Sequence, residues 1–427
     1  MSNKIPVDWV EETLGTFISN SMAGEWGNEA VGDKNDIPIL RATNFSESGA
    51  IDYTKLAFRN VDEKKIQQKL LQRGDIVLEK SGGSPTQPVG RVIYFNSTKP
   101  FLYSNFTQKL IPSEKCDSKY LFYKFYFEYQ NKTVLKFQQQ TTGIINFQLK
   151  EYLLYKTTFP PLYEQQKIAK ILTSVDEVIE KTHAQIDKLK DLKTGMMQEL
   201  LTNGIGHTEF KDSSVGRIPA DWEVVTFSYV LKKIDSGWSP SCTEVPPAIG
   251  KWGVLKVSSV TRGEFLEIQS KELPPLLEPK HHIQVNKGDI LLTRANGVAD
   301  LVGKCVMVRE EPKRKLMMSD KLLRLIPNEN IDSEFLLHSF NSERNRKQIE
   351  LSWGGSSGQK NISQVDIKSY KLALPTLKEQ KSISKNITNI ERSIFIKNKK
   401  MDSLKNLKKA LMQDLLTGKV RVKVDSE

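Results

Sequence analysis

EQQKIAKILTSVDEVIEKTHAQIDKLKDLKTGMMQELL, residues 164–201, decides the fold. Apolar side chains recur at Ile168, Ile171, Leu172, Val175, Val178, Ile179, Ile186, Leu189, Leu192, Met196 and Leu200. This is the three-and-four spacing of one helical face, sustained for about five heptads. Pro160 and Pro161 stand just ahead of it, where a missing N–H costs little. Asn203-Gly204 supply the stop. At 1.5 Å per residue such a rod is roughly 57 Å long, more than one small domain can cover.

A second stretch of the same kind runs from Lys378 to Leu416, with Ile383, Ile387, Ile390, Ile394, Met401, Leu404, Leu407, Leu411 and Leu415 on its seam. The likeness goes beyond periodicity. FPPLYEQQKI (159–168) matches LPTLKEQKSI (374–383), and MMQELLTNG (196–204) matches LMQDLLTG (411–418). The offset is about 215 residues, half of the chain. A lone amphipathic stretch reads as ordinary core, but two near-copies with the same entry and exit signals read as a helix pair.

Working outward, the repeat extends through the segments ahead of each rod. IPVDW (5–9) is echoed by IPADW (218–222), and RGDIVLEKSGG (73–83) by KGDILLTRANG (287–297). GIINFQLKEY (143–152) lines up with GQKNISQVDI (358–367). The spacing therefore predicts an α+β tandem repeat with a pseudo-twofold. Two mixed α/β domains, 1–160 and 207–373, are separated by long helices at 161–206 and 374–427 that form a helix pair. Ile76–Leu78, Val92–Phe95, Ile290–Leu292 and Val306–Val308 read as strands, and Lys119–Gln138 and Ser333–Leu351 as helices. The alternating tail VRVKV reads as an edge strand or a frayed end. Trp9 and Trp222 read as packing anchors, and Gly74-Asp75 and Gly288-Asp289 as turns.

The chain has 427 residues and a formal charge of +12. That excess favours an anionic partner, nucleic acid before membrane, because bound Lys and Arg release the counterions of phosphates. Cys116, Cys242 and Cys305 lie too far apart in sequence to suggest a disulfide frame or a CxxC site. No apolar run is long enough to span a bilayer, and no signal core opens the sequence, so a soluble cytoplasmic protein is expected.

Signals for catalysis fail one by one. FPPLY is similar to an amino-methyltransferase motif, but Phe159 offers no oxygen to a target amine. No Gly-rich S-adenosylmethionine loop follows a strand. GVADLVGKC (297–305) has one residue too many between its glycines for a P-loop, and Cys305 stands where Ser or Thr is needed. Asp75 and Glu79 hint at a nuclease carboxylate pair, but the copy has Thr293 in place of Glu79. The histidines lack metal-ligand spacing.

Polar, basic loops at the ends of matched strands remain. Lys80, Ser81, Gly82, Gly83, Ser84, Thr86 and Gln87 in the first half are matched by Arg294 and Asn296 in the second. Gln140, Thr141, Thr142 and Asn146 are matched by Ser356, Ser357, Gln359, Lys360 and Asn361. Glycine lets a backbone approach phosphate closely, and the amide and cationic side chains can read base edges. Solvated loops have the same composition; their appearance twice beside matched strands favours DNA contact. Lys397, Lys399, Lys400, Lys405, Lys408 and Lys409 crowd the second rod, as a solvated face or as a phosphate or partner contact.

Across its whole length the chain resembles the specificity subunit of type I restriction-modification systems. PPLYEQQKIAKIL and PTLKEQKSI at the helix entries, MQELLTNG and MQDLLTG at the exits, and the RGDIVLEKSGG and KGDILLTRANG pair carry the resemblance. It implies two target-recognition domains held apart by a long antiparallel two-helix coiled coil, each domain reading one half of a split double-stranded DNA sequence, with the helix pair as a ruler for the unread spacer. It implies two methyltransferase subunits and restriction (translocase) subunits as partners. S-adenosylmethionine, ATP and Mg would reside on those partners, with no cofactor on this chain. Two other classes compete: a fused enzyme that itself methylates or cuts DNA, and a stand-alone pseudo-dimeric regulator or coiled-coil adaptor.

Overall fold

Strand Val10–Thr13 lies antiparallel to Lys156–Phe159, with Val10 opposite Phe159, so the two ends of the first globular segment meet. Glu223–Thr226 and Lys371–Leu374 close the second segment in the same way, with Glu223 opposite Leu374. Each pairing sets a tryptophan, Trp9 or Trp222, one residue before the strand that adjoins the start of a long helix. The consequence is a repeated bond. Trp9 Nε1 donates to Glu164 Oε2 at 3.1 Å, and Trp222 Nε1 donates to Glu379 Oε2 at 3.1 Å. The next residue is equally fixed. Gln165 Oε1 accepts from Asp117 N at 3.0 Å while its Nε2 donates to Pro160 O at 2.9 Å. Gln380 does the same with Asp332 N (2.8 Å) and Pro375 O (2.9 Å). The Glu-Gln dipeptide of the helix entries thus ties each helix to its own globular unit.

The computed structural model describes residues 6–84, 86–141, 143–353 and 360–422. It divides into two compact units, residues 1–183 with 399–427, and 184–398. The first unit contains an antiparallel sheet ordered Ile18–Ala23, Thr107–Pro112, Ile76–Glu79, Val92–Tyr94. The second contains Leu231–Ser236, Leu322–Pro327, Ile290–Thr293, Cys305–Met307 in the same order. Beside it, each unit has a sheet with one parallel pair: Asp36–Leu40 with Leu102–Tyr103, and Trp252–Leu255 with Lys315–Met317. The duplication read from short motifs therefore holds strand by strand in the four-stranded antiparallel sheet, while the sheets with a parallel pair have four strands in the first unit and three in the second.

The long helices are Leu162–Asn203 and Leu377–Leu415. In the first unit Ile168, Ala169 and Leu172 share a core with Met412, Leu415 and Leu416. In the second, Leu201 shares a core with Ile383 and Ile387. Lys408 Nζ meets Asp176 Oδ1 at 2.7 Å in the first unit, and Lys193 Nζ meets Glu391 Oε1 at 2.8 Å in the second. Lys397 Nζ donates to Gln185 Oε1 at 2.7 Å. Within each unit, numbers rise along one helix as they fall along the other, so the segments pair antiparallel. Not every apolar position of the expected seam is covered: Val178, Leu192 and Leu407 are 40%, 51% and 48% exposed. A two-helix contact buries a narrower stripe than the periodicity marks. Lys408, read as part of a basic face, is instead buried against Asp176 and the Tyr126 ring.

Two helices are shorter than their periodicity suggests. The first ends at Gln130, after which Lys132 takes a left-handed conformation (φ 62°) and a 3₁₀ turn covers Thr133–Phe137. The second breaks at Asn341 into Ser333–Phe340 and Glu343–Ser352. Asn341 spends its amide on Cys305, donating to the carbonyl at 2.8 Å and accepting from N at 3.2 Å, and Ser342 Oγ caps the next helix. In the tail, the described residues Arg421 and Val422 form no strand. Among the described residues no helix is long and apolar enough to cross a membrane.

Candidate nucleic-acid interface

The matched loops are placed by the same main-chain bonds in both units. Glu79 N donates to Arg91 O (2.8 Å) and Gly90 N to Glu79 O (2.9 Å). Thr293 N donates to Lys304 O (2.9 Å) and Gly303 N to Thr293 O (2.8 Å). One residue on, Lys80 N donates to Phe106 O and Arg294 N to Lys321 O, both at 2.9 Å. Lys80 O accepts from Phe147 N (2.8 Å), and Arg294 O from Ile362 N (3.1 Å). Each chain then enters a two-residue strand, Ser81–Gly82 or Ala295–Asn296, paired with the strand that carries Asn146 or Asn361.

The structure thus brings Lys80, Ser81 and Gly82 together with Asn146. Ser81 Oγ donates to Asn146 Oδ1 at 2.7 Å. Gly82 and Gly83 both have positive φ (115° and 65°), which favours glycine. A Cβ on Gly83 would also stand 3.0 Å from Gln87 O. Ser84, Thr86 and Gln87 form a separate turn: Ser84 N donates to Gln87 O (2.8 Å), and Ser84 Oγ accepts from Gln87 N (3.0 Å). Gln140 is exposed opposite Ile145, and Thr141 pairs with Ile144. In the second unit Arg294 and Asn296 adjoin Lys360 and Asn361, both exposed. Asn296 Oδ1 accepts from Val298 N at 2.9 Å, so that acceptor already serves its own turn. Thr142, Ser356, Ser357 and Gln359 lie outside the described residues.

Charge at these loops is uncompensated. Among the described residues no carboxylate pairs with Lys80, Arg294 or Lys360. Burial, and then the charge of Lys69, hold the Lys80 ammonium below its ordinary range. A cation in that condition gains by meeting an anion or a base-edge acceptor.

The carboxylates considered as a nuclease pair are separately engaged. Asp75 lies 3.8 Å from Lys109 and accepts from Gln72 N at 2.8 Å. Burial pushes its carboxyl up, against the pull of the Gln72 N–H and Lys109. Glu79 instead holds Arg91, with Nε to Oε2 at 2.7 Å. Arg91 also donates to Phe45 O (3.1 Å) and Ala42 O (2.9 Å). Glu79 and Arg91 line a cavity of about 670 Å³, together with Trp26, Arg41, Phe45, Phe106, Ser81, Gly82, Gly83, Ser84 and Gln87. The sequence reading missed this cavity. Its lining comes from scattered segments; the sequence singled out Glu79 and the loop residues Ser81–Ser84 and Gln87, but nothing gathered them with Trp26, Arg41, Phe45, Arg91 and Phe106.

A family model described as "Type I restriction modification DNA specificity domain" matches residues 6–191 and 220–406. A putative type I restriction enzyme MjaX specificity subunit of Methanocaldococcus jannaschii is 32% identical, over 98% of this chain and 95% of its own length. The type I restriction enzyme EcoKI specificity subunit of Escherichia coli is 27% identical, over 91% of this chain and 83% of its own. The crystal structure of a type I restriction-modification system S subunit from M. genitalium shares the fold, with a TM-score of 0.59, 14% identity and 97% of each chain covered. With the model matching both halves of the repeat, the chain belongs to the type I restriction-modification DNA specificity family.

Proposed function

We propose that this chain reads DNA within a type I restriction-modification complex, each unit reading one half of a bipartite double-stranded target. The observation that carries the reading is the duplicated loop frame. Identical main-chain bonds present different side chains in the two units, Lys80-Ser81-Gly82 against Arg294-Ala295-Asn296. A shared frame with divergent polar tips suits two half-sites of unlike sequence. The proposed contacts are Lys80, Ser81, Gly82, Gly83, Ser84, Thr86, Gln87, Gln140, Thr141, Thr142 and Asn146 in one recognition domain (1–160). In the other (207–373) they are Arg294, Asn296, Ser356, Ser357, Gln359, Lys360 and Asn361.

In this reading the helix pair (161–206 and 374–427) sets the unread spacer and docks two methyltransferase subunits, which restriction (translocase) subunits join. The chain performs no catalysis itself; S-adenosylmethionine, ATP and Mg act on the partners, and the complex works in the cytoplasm. Methylation mapping of the genome of a strain expressing the chain with its partner subunits tests this. The expected result is one bipartite, gapped motif that vanishes when the chain is omitted. Methylation that is unchanged without the chain, or a purified chain that methylates DNA alone, would overturn it.

A further inference from the structure

The first unit's cavity is larger than the loop reading needs. Its volume, about 670 Å³, falls among small-molecule sites of about 300–1,000 Å³. Trp26, Phe45 and Phe106 supply aromatic walls. The Arg59 guanidinium lies 4.8 Å from the Trp26 ring centre. The polar wall is buried and incompletely satisfied. Glu79 is 2% exposed; its Oε2 takes the Arg91 N–H, while Oε1 accepts from no group among the described residues. Ser104, also 2% exposed, has an Oγ with no hydrogen-bond partner.

With a carboxylate oxygen open at the cavity wall, near a buried hydroxyl that has no partner, the site favours a ligand that brings N–H groups. It also favours a flat ring that can stack. An amino-bearing nucleobase has both properties. A base inside a duplex cannot enter a cavity, but an extrahelical one can. The cavity shares Ser81, Gly82, Gly83, Ser84 and Gln87 with the loop proposed to face DNA. Resting on that reading, we infer that the first unit holds one extrahelical, amino-bearing base of the DNA target in this cavity. Its N–H groups meet Glu79, and its ring stacks against the aromatic wall. At the positions of Glu79 and Arg91 the same main-chain bonds in the second unit carry Thr293 and an exposed Lys304, so the carboxylate that would meet the base is not repeated there.

The test uses the chain assembled with its methyltransferase partner and duplexes of the mapped target. Each base of the half-site read by the first unit is mispaired in turn by changing the opposite strand only. Mispairing removes in advance part of the unpairing cost. At one position other than the methylated base, binding should tighten by about five- to tenfold. Trp26→Ala should erase that gain, and so should Asn105→Trp, which plugs the cavity from an exposed lining position and guards against a folding defect in the first variant. If mispairing weakens binding at every such position while the paired target is still bound and methylated, the cavity inference falls and DNA reading stands. If the complex neither binds nor methylates any target, both fall. Adenosine and guanosine titrated into the chain form the remaining arm. Binding that Trp26→Ala abolishes, without any gain from mispairing, would assign the cavity to a free nucleoside and overturn the DNA base.

Discussion

Lys80 and Arg294 occupy equivalent positions, and each leaves its charge uncompensated among the described residues. Replacing either by Gln should weaken binding of the assembled complex to its target by ~1–3 kcal/mol if the side chain reaches a base. Titration at fixed salt measures this, and unchanged affinity would remove that residue from the interface. Lys124 carries a different consequence. Burial, only partly opposed by the Glu128 charge, pulls its ammonium down to about 8, while Nζ donates to Leu416 O at 3.1 Å beyond the end of the second long helix. The unfolded chain keeps that proton up to the ordinary lysine value of 10.5, whereas the folded unit sheds it from about 8. Stability of the first unit should therefore rise as pH climbs between these values. Denaturant midpoints across that window should show the rise, and Lys124→Met should flatten it; an identical slope in the variant would contradict the assignment.

The helix entries and exits were the most legible elements because each repeats a local physical signal. Pro before the entry, Gly after the exit and three-and-four spacing between them are readable without tertiary knowledge. The purpose of Glu164 and Glu379 was not readable, since their partners come from distant segments. Glu164 takes Trp9 and Arg421 (2.8 Å), while Glu379 takes Trp222 and His207 (2.8 Å). Gly204 is forced by this arrangement, for a Cβ there would stand 2.6 Å from Glu379 Oε1. Glu164→Gln or Glu379→Gln should lower stability of its own unit by about 1.5–3 kcal/mol. Hydrogen exchange confined to one unit would distinguish this from a general loss, and exchange rising equally in both units would count against the local tie. The break at Asn341 was hidden because no Gly or Pro between 341 and 348 marks a stop; the bond to Cys305 that stops the helix is long-range. If the helix pair is a ruler, deleting one heptad from each long helix in register should shorten the unread spacer and leave both half-sites intact. An unchanged spacer in the methylation map would refute the ruler.

For the whole molecule, duplication was legible because a few rigid motifs survive in both halves: the Gly-Asp turns, the Trp beside each entry and the Glu-Gln tie. Divergence lies between those anchors, on the surfaces that would face DNA. That is why the frame could be read from the sequence while the cavity of the first unit could not. Trp26, Arg41, Arg91 and Phe106 are separated in sequence and gathered only by folding. The central claim is that each unit reads its own half of the target on a common frame. The most direct measurement exchanges residues 10–158 for the corresponding unit of a relative and maps genome methylation in the presence of the partner subunits. The account predicts a new sequence in one half-site, with the other half-site and the spacer unchanged. A change in both half-sites, or in neither with methylation intact, would contradict it.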